Sequence, residues 1–194
     1  MTAAVTHPPR RIASVAQRSL ARVWGILLAL LLTAGPAAAE SLEYSVKANY
    51  LVRFAAFVQW PPEAFPTPTS ALAICVLGAD PFGADLTKAA AGQTINGRAI
   101  VIRKLAHVDA RSACNILYVG RGGEQTVREV SDLLESRPVL IVTDEARGSE
   151  RGHLHFVVTG NRVRFHIDDA AAKQAGLTIS SRLLSLAVTV KAAA

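Results

Sequence analysis

The stretch Leu72–Gly83, LAICVLGADPFG, constrains this chain more than any other. Its first six residues are apolar, Ile74 and Val76 are β-branched, and Gly-Ala-Asp-Pro-Phe-Gly closes it as a turn. A short unbroken apolar run ended by turn residues is the pattern of a strand buried on both faces, and such strands belong to parallel sheets covered by helices. Three further runs read the same way: Ala99–Leu105, Asn115–Gly120 and Pro138–Asp144. Between them, Phe82–Ala91 reads as a short helix ending at Gly92. A second helix reaches Ser136 with Val127, Val130, Leu133 and Leu134 on one stripe. This alternation predicts an α/β fold, a Rossmann-like sandwich with a mostly parallel sheet.

The end of the chain changes period. His153–Val158 and Val163–Asp168 alternate around Thr159-Gly160-Asn161-Arg162, which predicts an antiparallel hairpin with Thr159 opposite Arg162. That register sets Phe156 against Phe165 and Leu154 against Ile167, an apolar face completed by Val158 and Val163. His153, His155, Arg164, His166 and Asp168 fall on the other face, which reads as a solvated polar surface. Asp168 or Asp169 caps a helix ending near Gly176, and Ser180 or Ser181 caps a last one through Ala187.

Ahead of the first strand, Ser41 is expected to cap a helix running to about Gln59. Val46, Tyr50, Phe54, Phe57 and Trp60 recur at helical spacing, and Leu51, Val52, Ala55, Ala56 and Val58 fill most of the remainder. A helix apolar on all sides is buried on more than one, against the sheet and against a partner or second copy. Tyr50, Phe54, Phe57 and Trp60 are therefore candidate interface residues.

Residues 1–39 read as a secretory signal peptide. Arg10, Arg11, Arg18 and Arg22 precede the apolar core Trp24–Ala34, which is too short to span a bilayer comfortably as a helix, and Ala37-Ala38-Ala39 suits cleavage after Ala39. The exported part, 40–194, is one domain's worth of chain. The whole sequence carries a net charge of +6. Four of its 21 basic residues leave with the signal, so 17 face 15 acidic ones, a balance of +2 with no polybasic run. That excludes nucleic acid as a partner.

Export also bears on Cys75, inside the first strand, and Cys114, just before the third. These are the chain's only two cysteines, and an oxidising compartment favours a bond between them; two buried free thiols are the alternative. The three hairpin histidines, His153, His155 and His166, with Asp168, have the residue types of a zinc site, but strand histidines need a concave pocket to close one, so no metal is expected. Gly120-Arg121-Gly122-Gly123 could cradle a phosphate. It lacks the Lys-Ser/Thr ending of a P-loop and the spacing of a dinucleotide fold, and reads as a tight strand-to-helix turn. Neither G-x-S-x-G nor S-x-x-K occurs, so neither enzymatic activity nor a cofactor is expected; a secreted hydrolase using His155 or His166 is a distant alternative.

Four patches resemble the YfiR family of small periplasmic proteins that repress inner-membrane diguanylate cyclases. They are Lys47-Ala48-Asn49-Tyr50-Leu51 through Phe54, Phe57 and Trp60-Pro61; Ile74–Gly78 with Asp80-Pro81-Phe82-Gly83; Cys114–Val119; and Val163-Arg164-Phe165 through Ala170-Ala171, Gly176-Leu177, Ile179-Ser180 and Leu183-Leu184. The resemblance implies a Rossmann-like sandwich, a homodimer and a binding regulator whose partner is the periplasmic domain of a membrane diguanylate cyclase or related sensor. The Cys75 and Cys114 pair carries over. A second pair that some members have near the fourth strand and hairpin is missing here, and His166 stands where the family often has Glu. Some members bind a small ligand near the last helix, which makes Thr178, Ser180 and Arg182, with Arg164 and His166, candidate ligand-binding residues. A periplasmic carrier of a nucleotide or aromatic compound is thus the alternative function.

Overall fold

A computed structural model of the chain describes residues 36–192. The expected signal peptide lies outside the described residues except for the backbone of 36–39. The chain divides after Glu40, and the architecture below is that of the unit Ser41–Ala194.

The elements in order are α1 (Pro36–Phe54), β1 (Val58–Gln59), β2 (Leu72–Leu77), α2 (Asp85–Ala90), β3 (Thr94–Ile95), β4 (Arg98–Leu105), β5 (Ile116–Val119), α3 (Val127–Leu134), β6 (Leu140–Asp144), β7 (Leu154–Thr159), β8 (Arg162–Asp168), α4 (Asp169–Gln174), β9 (Thr178–Ile179), α5 (Ser181–Leu184) and β10 (Val190–Lys191). The main sheet runs β10-β8-β7-β6-β5-β2-β4-β3. From β4 through β7 every neighbouring pair is parallel; β7–β8 and β3–β4 are antiparallel, and β10 returns parallel to β8. This is the expected α/β sandwich with a mostly parallel sheet and a C-terminal antiparallel hairpin.

The apolar strand β2 sits inside this sheet, between β5 and β4, and all six of its residues are buried. β5 and β6 are buried throughout as well, because both sheet faces are covered. One face packs Leu72, Ile74, Val76, Ile116, Leu140, Phe156 and Phe165 under α1, α2 and α4. The other packs Leu77, Leu117, Val119 and Ile141 under Val127, Val130 and Leu134 of α3. The hairpin register is the expected one, with Phe156 opposite Phe165 and Thr159 opposite Arg162.

Three expectations are corrected. Ser41 lies within α1 rather than capping it, since the helix already runs from Pro36. Its end comes at Phe54, not near Gln59: two tighter bonds, Ala56 N–H to Arg53 O and Phe57 N–H to Phe54 O, close the last turn. Val58 and Gln59 then pair with Ile179 and Thr178, so a strand partner far along the chain overrides helical periodicity. Finally, the polar face of the hairpin is solvated only on its β8 side, where Arg164 is exposed and His166 and Asp168 are half-buried; on β7, His153 and His155 are buried. β7 is an interior strand between β6 and β8, and Gly152 lies so close to Ile141 that a Cβ there would stand 2.6 Å from the Ile141 carbonyl oxygen.

Candidate functional site

The chain's buried ionic chemistry gathers at the carboxyl end of β6. Asp144 ends that strand, and its Oδ2 accepts from Tyr118 Oη (2.7 Å), Lys47 Nζ (3.0 Å) and Tyr44 Oη (3.1 Å). Lys47 is wholly buried, bonds Glu43 one turn back on α1 at 2.5 Å, and stands 4.5 Å over the Tyr44 ring. Phe82, from the turn after β2, closes the cluster edge-on to Tyr118, ring centroids 4.7 Å apart. Burial alone would raise the Asp144 carboxyl, but the Tyr118 hydroxyl and the Lys47 ammonium outweigh it and hold the group below the ordinary carboxylate range. Burial, then the Asp144 charge, pushes both tyrosine hydroxyls well above their ordinary value. The carboxylate is thus held ionised by three donors and both phenols stay neutral at neutral pH. The cluster locks α1 to the sheet.

The second concentration of polar groups is on the far face of β6–β8. His153 Nδ1 accepts from the Ile141 N–H at 3.0 Å. Thr143 Oγ1 accepts from Gly152 N–H and lies at hydrogen-bond distance, 2.8 Å, from His155 Nδ1. His166, directly opposite His155, has its Nδ1 2.6 Å from Thr189 Oγ1, and the two rings lie near parallel with centroids 6.5 Å apart. Burial pushes His153 down to about 4; burial, with the Arg151 charge second, does the same to His155. Among the described residues no group of three or more His, Cys, Asp or Glu side chains is placed to hold a metal.

The glycine-rich turn after β5 is packed shut. Ala79 N–H donates to Arg121 O at 2.8 Å, Gly120 N–H donates to Leu77 O at 2.8 Å, and a Cβ on Gly120 would stand 2.3 Å from Ala79 O. This junction of β2 and β5 is where the strand order reverses, the usual ligand crevice of such sheets. Here backbone fills it. The helix that follows starts at Val127 and satisfies its own first N–H groups: Glu129 accepts from Thr126 N–H in a capping box, and Glu150 accepts from Val127 N–H.

The five candidate ligand-binding residues do not converge. Ser180 is the N-cap of α5, its hydroxyl accepting from Leu183 N–H, with Thr178 and Arg182 exposed on either side. The neighbouring Ile179 and Leu183 pack on the α1 side of the sheet. Arg164 and His166 alternate with Phe165 and Ile167 of that same core and so point from the opposite face of β8.

Of the candidate interface residues, Phe54 is 1% exposed and stacks on Phe156 and edge-on to Phe165 at 5.5 and 5.2 Å, inside the chain's own core. Tyr50, Phe57 and Trp60 are half-buried against the same core, and Trp60 Nε1 donates to Asn115 O. Among the described side chains, the large exposed apolar residues on α1 are instead Leu42 and Val46, one turn apart. Cys75 and Cys114 form a disulfide, Cα atoms 5.8 Å apart, with Cys75 in the middle of β2. The Lys47–Asp144 lock escaped the sequence reading. Its signal was a lysine inside an apolar helix and an aspartate ending an apolar strand, each looking for a partner.

No curated protein matches the chain. A family model described as YfiR/HmsC-like matches residues 44–188, from the first lock residue to the segment beside β8.

Proposed function

The chain belongs to the YfiR/HmsC-like family, and from that premise we propose that it is a periplasmic regulatory binding protein. It acts as a homodimer that docks on the periplasmic domain of an inner-membrane diguanylate cyclase and holds the enzyme inactive, lowering cyclic di-GMP and biofilm formation. The observation that carries this reading is the family match over residues 44–188. The site chemistry agrees with it: Lys47, Asp144 and the tyrosines are consumed in a structural lock, and the strand-order reversal is filled by backbone rather than open to a substrate.

The lock suits a docking role. It fixes α1 on the sheet while Leu42 and Val46 stay outward, followed one turn on by half-buried Tyr50, a stripe of apolar surface on one rigid element. The disulfide fastens the frame behind it. Isolating the tagged protein from detergent-solubilised membranes tests the reading: a diguanylate cyclase should accompany the wild type and be lost with Val46→Glu, an exposed change that leaves the fold intact. Recovery of no membrane cyclase, in cells shown to express one, would overturn it.

A further inference from the structure

We infer that the free edge of β4 is the face through which two copies of this chain pair, joining their sheets into one. The inference deepens the homodimer of the proposed function and rests on that reading.

β4 is eight residues long but is covered on its outer side only at its start. β3 pairs with Arg98 and Ala99 alone, while β2 accompanies β4 from Ile100 to Leu105 on the inner side. Asn96 and Gly97, with φ of 50° and 76°, make the two-residue turn that closes the β3–β4 hairpin on Ile95 and Arg98. In such a hairpin the closing pair exchanges both hydrogen bonds, so Arg98 aims its backbone groups outward to β3. Alternation then turns Ala99, Val101, Arg103 and Leu105 toward β2, and the Leu105 carbonyl does accept from Gly78 N–H on that side. Ile100, Ile102 and Lys104 are left with outward N–H and C=O groups that no strand among the described residues meets.

A row of unpaired backbone groups is a template for another strand. This one is self-complementary. The free stretch Ile100–Lys104 is centred on Ile102, so a second copy turned by a two-fold axis there sets Ile102 against Ile102 of the partner subunit and Ile100 against Lys104 of the partner subunit. All three outward residues then exchange hydrogen bonds with their opposites. Charge favours this register. Arg103 falls opposite Val101 of the partner subunit, whereas a slip of two residues, which centres the axis on Arg103, would set Arg103 against its own copy. Lys104 is already held by Asp80 at 2.6 Å. Beside the edge lies a groove of about 380 Å³ lined by Thr87, Ala90 and Ala91 of the α2 end together with Ile100 and Ile102, which are half-buried here. Pairing covers those two isoleucines with the partner's own.

The test uses the folded, disulfide-intact protein. Sedimentation over a range of concentrations should show a dimer for the wild type and for Lys104→Ala, and a monomer for Lys104→Pro, which removes an outward N–H without touching the pairing to β2. Ile102→Cys supplies the only free thiol and should give a covalent dimer under mild oxidation, whereas Thr87→Cys should not; this also covers failure of the proline variant to fold. A wild-type dimer that persists in a folded Lys104→Pro variant, with no Ile102→Cys cross-link, would overturn this face and leave the homodimer standing. A monomeric wild type at every concentration would overturn both.

Discussion

Replacing Lys47 by methionine isolates what the buried lock contributes. The ammonium is wholly buried, 3.0 Å from a carboxylate that is itself about 1% exposed, so removing it strands a buried charge with only the two tyrosine hydroxyls. Breaking one side of a buried pair costs about 3–5 kcal/mol. For a chain of this size that lowers the melting temperature by about 6–20 °C. Tyr118→Phe, which removes one hydrogen bond to the charged group, costs less, about 1.5–3 kcal/mol. The pair as a whole is a different matter: its desolvation penalty offsets much of its attraction, so Lys47→Met combined with Asp144→Leu should recover most of the single-mutant loss. Urea denaturation followed by circular dichroism measures all of these, and the double-mutant cycle gives the coupling directly. A Lys47→Met protein within about 1 kcal/mol of wild type would refute the reasoning, since one turn of α1 would then be held by packing alone.

Acid sensitivity follows from the two buried histidines. Their folded values, pushed down to about 4, lie below the ordinary 6.5, so the unfolded chain binds the protons first. Stability is full above pH 6.5 and falls as the pH drops toward 4, whereas the depressed carboxylates Asp144 and Asp168 lose theirs only at lower pH. Replacing His153 and His155 together by glutamine should flatten the upper part of that pH–stability curve and leave the lower part; an unchanged curve would refute it. Reducing the disulfide opens a loop spanning 39 residues in sequence. The chain-entropy model puts the loss at about 4 kcal/mol, measured as the shift in urea midpoint with and without reductant, and no shift would contradict it.

Much of the frame was legible because local signals and tertiary demands agreed. The apolar runs of β2, β5 and β6 could only be doubly buried strands, and Thr159-Gly160-Asn161-Arg162 set the hairpin register residue by residue. Legibility failed where the partner lies far along the chain. Lys47 and Asp144 are 97 residues apart, so neither announces the other. The end of α1 is set by β9, more than a hundred residues on, and the His155 side chain meets Thr143 on the strand beside it, twelve residues back. The short β10 went unseen for the same reason: Val190 and Lys191 form a strand only because Ile167 and Asp168 offer an edge. The alternation that correctly paired Phe156 with Phe165 says which residues share a face. It does not say whether that face meets water.

The central claim is repression by binding, and cyclic di-GMP in cells tests it most directly. In a strain that expresses the partner cyclase, deleting this gene should raise cyclic di-GMP, restoring the wild-type gene should lower it, and restoring Val46→Glu at equal protein level should not. An unchanged level in the deletion strain, with the cyclase shown to be present, would contradict the account.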